Sequence, residues 1–501
     1  MSETVKFTQS EAERQFYLAH VWQAKGKIEL AIASYKKAID LQPIYTDAYV
    51  KLTELLIEQG REEEAIAVYH QAIEANPNEA NFYQELINNI RRKDSKFTDL
   101  LPLIESDSLH ILFYTDCPEI YGAAQLNHAI ICDLAASKYK LTCVQSQANH
   151  YLIQQRNQLR ISHLWLKPDN LYHPTKPARA FSNTDEVEHI FTLAKPDLII
   201  FGDGCPVSNL AAKEVAIQRE IPYIQIVHCV TAEWAKQFQP YLQRLPNIYQ
   251  HAQAVITVSE ENLNLLRQQF KLPENIGQVI YNGRPAQYFN PPNLAVRDRL
   301  RQELNIPNDA IVCLTTARLD LVKGYQYQLS AIQQLQESEI WDKLYFIWAG
   351  TGNLSLRLKT LSAEMGVSDR IKFVGERSDI PDLLDTADIF ILPSQFEGMP
   401  LAIMEAMAKA KPVLASAVSG IPEELGETGK LLPDPKINSS ATIQELVTTI
   451  EAWATDSQLR YSIGQACKNR AEKMFKEERM LIKYKAIVEK LFSVKISGNS
   501  G

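Results

Sequence analysis

The sequence is short of positive charge, of clustered cysteine and of long apolar runs. Its 52 Lys and Arg are outnumbered by 60 Asp and Glu, giving a formal net charge of −8. That balance argues against an electrostatic grip on nucleic acid. The seven cysteines, Cys117, Cys132, Cys143, Cys205, Cys229, Cys313 and Cys467, are scattered, with no C-x-x-C and no His/Cys group at metal-ligand spacing. They read as small buried hydrophobes in a reducing compartment rather than as a metal site or a disulfide framework. No run approaches the roughly 18 apolar residues that a spanning helix needs. The polar start MSETVKFTQSEAERQ does not read as a signal peptide. The expectation is a cytoplasmic protein, with a peripheral contact at the inner face of a membrane left open.

What is present is an ordinary globular composition, 46% hydrophobic and 22% charged over 501 residues. At roughly 150 residues per domain that length suggests about three domains. The first is marked by repetition. GKIELAIASYKKAIDLQP (Gly26 to Pro43) and GREEEAIAVYHQAIEANP (Gly60 to Pro77) share Gly, Ala-Ile, Tyr, Ala-Ile and Pro at an offset of 34. Small Ala lets two helices approach, Tyr fills the gap between neighbouring pairs, Gly turns the chain and Pro stops the second helix. The pattern resembles the tetratricopeptide repeat. The resemblance implies an all-α module over residues 1–95, with repeats at 12–45 and 46–79 and a capping helix around Phe82 to Ile90. Two repeats are few for a free-standing solenoid. The module reads either as an N-terminal cap or as a groove for a protein partner. RRKDSKFTD then reads as a linker, placed at 96–108.

From residue 109 the rhythm changes to short β-rich runs alternating with helical stretches. One set is LHILFYT, LTCVQS, HLWLKP, DLIIFGD, YIQIVH, AVITVS and QVIYNG; a second is AIVCLTTA, LYFIWAG, IKFVGE, DIFILPS and PVLASAV. Alternation of this kind predicts parallel, doubly wound sheets. The fold class is therefore α/β, with two doubly wound domains behind the helical module. They are placed at 109–290 and 291–470, followed by a closing helix and Gly/Ser tail over 471–501. Ligands in such sheets bind beyond the carboxyl ends of the strands, so the loops after the strands matter most.

Four of those loops in the second domain carry chemistry. ARLDLVKG sets Arg318 and Lys323 beside a glycine at a strand mouth, where two cations suit a diphosphate. WAGTG offers glycines that let backbone approach a ligand. FVGERSD places Gly375, Glu376 and Arg377 after another strand. The fourth, SQFEGMPLAIMEAMA, holds Glu397 and Glu405 among Phe, Met, Leu and Ile. Carboxylates seldom sit among such neighbours unless something pairs with them. Gly398-Met399-Pro400 reads as a turn with Pro400 at the first helical position, and the helix as running to about Lys409. Its free amides would favour an anion. Two carboxylates flanking a cationic cradle fit a sugar nucleotide, which offers diol groups on both sides of its diphosphate.

Taken together, the E-x7-E pair, ARLDLVKG, DIFILPS and VIYNG (Val279 to Gly283) resemble the GT-B retaining glycosyltransferases of family 4. The resemblance implies two Rossmann-like domains, the first for the acceptor and the second for a nucleoside-diphosphate sugar, UDP- or GDP-linked. It implies that Arg318 and Lys323 bind the diphosphate, Glu397 the transferred sugar and Glu405 the ribose. The backbone of Gly398, Met399, Pro400 and Leu401 would hold sugar and phosphate through the N–H groups of its three non-proline residues, and the Gly375–Arg377 loop would lie against the base. EIYGAAQLNHAI resembles the family's glycine loop, with Gly122 and Ala123 facing phosphate and acceptor, although the family often has a second glycine and then Ala-Glu. IVHC gives His228 as the active-site histidine. No D-x-D motif is present, in keeping with a fold that needs no metal or other cofactor. The reaction implied is sugar transfer to a hydroxyl with retained configuration, the departing phosphate taking the proton. The acceptor would be a polysaccharide, a lipid-linked glycan or a protein, with the repeats recruiting it or a partner. Two other readings are a repeat-based scaffold with a relic enzyme domain, and another GT-B enzyme such as a sugar-nucleotide epimerase.

Overall fold

The computed structural model describes residues 11–77, 80–91, 109–117, 122–137, 139–146, 150–167, 171 and 181–498. The linker placed at 96–108 and Glu119 to Tyr121 of the glycine loop lie outside them.

The N-terminal module is five helices: α1 (Glu11–Ala24), α2 (Ile28–Leu41), α3 (Thr46–Glu58), α4 (Glu62–Ala75) and α5 (Ala80–Arg91). The repeat pattern accounts for their packing. Ala31, Ala65, Tyr35, Tyr69, Ala38 and Ala72 occupy matching positions and are completely buried. Gly26 and Gly60 take φ of +70° and +72°, which glycine adopts without strain. Tyr83 of α5 lies against both Tyr49 and Tyr69, closing the open end of the second repeat.

The first sheet holds β1 (His110–Tyr114), β2 (Lys140–Gln145), β3 (Ser162–Trp165), β4 (Leu198–Asp203), β5 (Tyr223–Val227), β6 (Ala254–Thr257) and β7 (Gln278–Val279), in the order 3-2-1-4-5-6-7. The second holds β8 (Ile311–Thr316), β9 (Leu344–Ala349), β10 (Ile371–Gly375), β11 (Ile389–Leu392), β12 (Val413–Ser416) and β13 (Lys430–Leu432), in the order 10-9-8-11-12-13. Every pairing is parallel. Central strands such as β1, β4, β11 and β12 are buried along their whole length, as expected when helices cover both faces. The strand order reverses beside β1 in one sheet and beside β8 in the other, and those reversals open the ligand crevices.

Helices of the sheet domains include α6 (Gly122–Ala136), α7 (Glu260–Phe270), α8 (Ile380–Thr386), α9 (Leu401–Ala408), α10 (Ile421–Leu425), α11 (Ser457–Met474) and α12 (Glu477–Gly498). The chain crosses between the sheet domains twice, and the crossings are hydrogen-bonded together. Arg284 N donates to Phe475 O (2.8 Å), and Glu477 N donates to Arg284 O (3.0 Å). Helix α12 then returns to the first domain, where Phe492 stacks on Tyr139 with ring centres 5.5 Å apart.

Three expectations need correction. β13 was not foreseen: it is only three residues long, too short for a periodic signal. Helix α12 runs on through Ser497 to Gly498, and residues 499–501 of the tail lie outside the described residues. Pro400 is the residue before the helix, with extended ψ of 121°, and α9 begins at Leu401 and ends at Ala408. A proline at the cap still costs the helix nothing, because the first amides have no intrahelical partner anyway.

Candidate active site

The cleft between the sheets is lined by the loops that follow β1, β5, β8, β9, β10 and β11. In the second domain, local backbone geometry brings those loops together. Asp320 accepts from Lys323 N (3.3 Å), making one turn of 3-10 helix from Leu321 to Lys323. Gly324 follows at φ +77°, and a Cβ there would lie 2.0 Å from Pro393 O. Only glycine allows the β8 loop to press against the end of β11 so closely. Gln395 N donates to Val322 O (2.7 Å) across the same junction.

The consequence is an ion pair at the strand mouths. Lys323 Nζ is 2.6 Å from Glu397 Oε1, and Ser394 Oγ donates to the same oxygen (2.7 Å). Glu397 N donates to Ser419 Oγ (3.1 Å). Eight residues on, Glu405 Oε1 meets Arg284 Nη2 at 2.7 Å. Glu397 and Glu405 are 8% and 7% exposed, so neither is a solvated surface charge. Burial raises the Glu405 carboxyl above its usual range, with Arg284 pulling it back. Both acids therefore have cationic partners, as their apolar surroundings demanded.

The remaining residues named from the sequence fall as follows. Arg318 lies 3.0 Å from Asp320, with about half of its side chain in solvent at the cleft. Gly375 takes φ +70° and accepts from Gly350 N (2.7 Å), joining the β9 and β10 loops. Arg377 forms a two-pronged pair with Asp379 at 2.7 and 2.6 Å, and it lines the cleft with Glu376. Gly122 and Ala123 form the start of α6, facing the cleft, and a Cβ on Gly122 would sit 3.5 Å from Leu401. Gly398 approaches the first domain closely, since a Cβ on it would lie 2.2 Å from His228 O. Met399 is buried, and its carbonyl accepts from Asn282 Nδ2 (2.9 Å) of the VIYNG segment.

His228 follows β5. Its Nε2 is 2.8 Å from Asn127 Oδ1, and its Nδ1 is buried without a partner. Burial pulls its pKa down to about 4, so the imidazole is neutral at pH 7. With the Asn127 oxygen accepting, Nε2 holds the proton and Nδ1 is an acceptor. Neighbouring Cys229 is pushed up to about 12, by burial first and the Glu397 charge second, which keeps it a thiol.

Sequence reasoning missed Asn127, Arg284, Tyr288, Ser394 and the acids Glu423 and Glu424. The need for a cation beside Glu405 was readable, but its identity was not, because Arg284 lies on the other side of the second sheet in sequence. Glu424 is buried with neither carboxylate oxygen bonded, and burial followed by Glu397 pushes its carboxyl well above the usual range.

Residues 296–470 match the family described as Glycosyl transferases group 1, and residues 121–288 match Glycosyltransferase Family 4. Both sheet domains are thus similar to these glycosyltransferases. The family regions follow a Tetratricopeptide repeat match at residues 23–89. Among curated glycosyltransferases, the amylovoran biosynthesis glycosyltransferase of Erwinia amylovora is 38% identical over 185 residues, 33% of this chain and 43% of that protein. The D-inositol 3-phosphate glycosyltransferase of Corynebacterium aurimucosum is 27% identical over 44% of this chain and 52% of that protein. The chain thus spans about half the length of these relatives. Among solved structures, Anabaena HepE in complex with UDP and glucose aligns with TM-score 0.63 at 20% identity, covering 77% of this chain and all of that one. The sucrose-phosphate synthase of Thermosynechococcus elongatus aligns at 0.59 and 18% identity, with 77% and 100% coverage. These likenesses establish the GT-B fold for the two sheet domains. Among the described residues no helix is long and apolar enough to cross a membrane.

Proposed function

We propose that this glycosyltransferase moves a sugar from a nucleoside-diphosphate donor to a hydroxyl acceptor with retained configuration. The observation that carries the reading is the Lys323–Glu397 pair, 2.6 Å apart at the head of α9, with Glu405 farther along the same helix. The amides of α9 have no side-chain cap, so they are available to an anion. In this reading Lys323 turns from Glu397 to the donor diphosphate, and Arg318 reaches it from the cleft edge. Glu397, released, accepts from hydroxyls of the transferred sugar, while Glu405 accepts from the ribose. Gly398 to Leu401 hold sugar and phosphate, and Gly375, Glu376 and Arg377 border the base. Gly122 and Ala123 face the phosphate and acceptor from α6.

The acceptor hydroxyl attacks from the face the phosphate leaves, and the phosphate takes its proton. His228 is suited to orienting the sugar, since it lines the cleft and its neutral Nδ1 is an acceptor without a partner. Cation and amide dipoles that stabilise the leaving diphosphate supply the main rate term. The donor is UDP- or GDP-linked; HepE, of the same fold, was solved with UDP and glucose. The acceptor is a growing or lipid-linked glycan. In support, the relatives include an amylovoran enzyme and a diphosphoundecaprenol-directed galactosyltransferase of Escherichia coli. The repeat module recruits that acceptor or a protein partner, and the work takes place in the cytoplasm or at the inner membrane face.

The test is a thermal-shift screen of the full chain against UDP, GDP and their sugars, followed by NMR of the product formed with the best donor. Stabilisation by one nucleotide and an anomeric centre matching the donor are expected. An epimerised free sugar, an inverted product, or no nucleotide binding would overturn the reading.

A further inference from the structure

Arg284 joins the two halves of the molecule to the donor site. Its backbone is fixed on both sides by the second crossing, through Phe475 O and Glu477 N. Its guanidinium lies over the Tyr288 ring, 4.8 Å from the ring centre, and Nη2 is 3.2 Å from Tyr288 Oη and 2.7 Å from Glu405 Oε1. The side chain is more than nine-tenths buried, and Nε has no partner. A guanidinium held at both main chain and ring face cannot swing, so its fork is pre-organised for one carboxylate geometry.

The other charged groups nearby are already engaged or act on Arg284 itself. Lys409, just after the helix that carries Glu405, is 3.1 Å from Asp385 of α8. Glu477, at the start of α12, acts on Arg284. Tyr288 is the remaining titratable group facing Glu405, and burial raises its pKa. A carboxylate offers about four acceptor positions, and Arg284 and Tyr288 take about two. The rest are left for a ligand in the cleft that Glu405 lines.

We propose that Arg284 is a positioning residue of the donor site, holding the Glu405 carboxylate ionised and oriented so that it accepts from the hydroxyls of the nucleotide's ribose. The inference rests on the donor reading above. An ionised acceptor bonds a hydroxyl about twice as strongly as a neutral one. Removing the counter-charge leaves burial opposed by the Tyr288 hydrogen bond alone and moves Glu405 towards its neutral form as pH falls.

The test uses the full chain and calorimetry with UDP, GDP and the 2′-deoxy form of whichever binds, at pH 6 and pH 8. In wild type the ribonucleotide should be preferred at both. In Arg284→Gln the preference should shrink about tenfold, the strength of one charge-assisted bond, and more at pH 6 than at pH 8. Arg284→Lys, which keeps the charge without the fork, should keep the flat pH response and lose part of the preference. If Arg284→Gln does not fold, the lysine variant decides alone. An equal loss for ribo- and deoxynucleotide at both pH values, or no loss, would overturn the role. If wild type binds neither UDP nor GDP, the donor reading falls and the proposal with it.

Discussion

In the proposed reading Lys323 and Glu397 each have two duties, and substitution can separate them. In the free protein the pair is a part-buried salt bridge, with side chains 18% and 9% exposed. Truncating one partner of such a pair strands the other charge, which is the expensive outcome. Lys323→Ala should therefore lower Tm, and Glu397→Gln added to it should restore part of that loss. Transfer should not recover: the diphosphate still lacks a charge-assisted bond of about 1.5–3 kcal/mol. That predicts a ten- to hundredfold lower kcat/KM in both variants. Recovery of turnover with stability would show that the lysine serves the fold alone. The pair also marks how far the sequence could be read at this scale. Both acids were visible because they fall in one loop-helix unit, among apolar neighbours that demand a counter-charge. Arg284 and Asn127 were not visible, because tertiary folding brings them in from elements with no pattern of their own.

Elements were more legible than residues. The repeat at offset 34 predicted the helical module because identical Ala, Tyr and Gly positions solve the same packing problem twice. The apolar runs gave every strand but β13, since parallel strands buried on both faces need unbroken apolar stretches. Helix ends were harder: Pro400 was read one position too far in, because extended and helical prolines share the same φ. One helix pair also carries a pH signal. His20 of α1 lies against Phe16, ring centres 4.6 Å apart, and bonds Tyr35 of α2. Burial, with Lys51 adding to it, lowers its pKa from 6.5 to about 4. Between those values the unfolded chain binds a proton that the folded one refuses. The stabilising difference is thus intact above about pH 6.5 and lost as pH falls towards 4. At 1.36 kcal/mol per unit the loss is as much as about 3 kcal/mol. The protection factors of α1 and α2 amides in the full chain, corrected for the pH dependence of intrinsic exchange, should fall on acidification from pH 7 to pH 4.5. His20→Gln should flatten that response, and an unchanged acid limb would remove His20 as its source.

At the scale of the whole molecule, the two sheet domains were predictable as separate units from their two sets of strands, but not the contacts that set the gap between them. Those contacts are apolar as well as polar: Trp234 meets Phe396 edge-on, with ring centres 6.3 Å apart. Besides the close approach of Gly398 to His228 O, Asn282 reaches Met399 O, and Lys436 Nζ meets Glu233 Oε1 at 2.8 Å. The most directed is Glu423 of α10, whose carboxylate oxygens accept from Glu260 N at 3.0 and 2.9 Å, at the first turn of α7 in the opposite domain. A carboxylate at a helix N-terminus contributes about 0.3–1 kcal/mol when exposed and up to about 2 when sheltered. That is small against the stability of either domain but comparable to the free energy separating open from closed arrangements. Glu423→Gln should therefore leave Tm nearly unchanged. It should shift the nucleotide-free population towards open by about two- to thirtyfold, the span that 0.3–2 kcal/mol allows. Small-angle scattering should show a larger radius of gyration for the free variant than for free wild type, converging when saturating nucleotide closes both. The donor KM should rise while kcat at saturation stays near wild type, because donor binding now has to supply the closing energy. Identical free-state scattering with an unchanged KM would mean that this contact follows closure and does not help to set it.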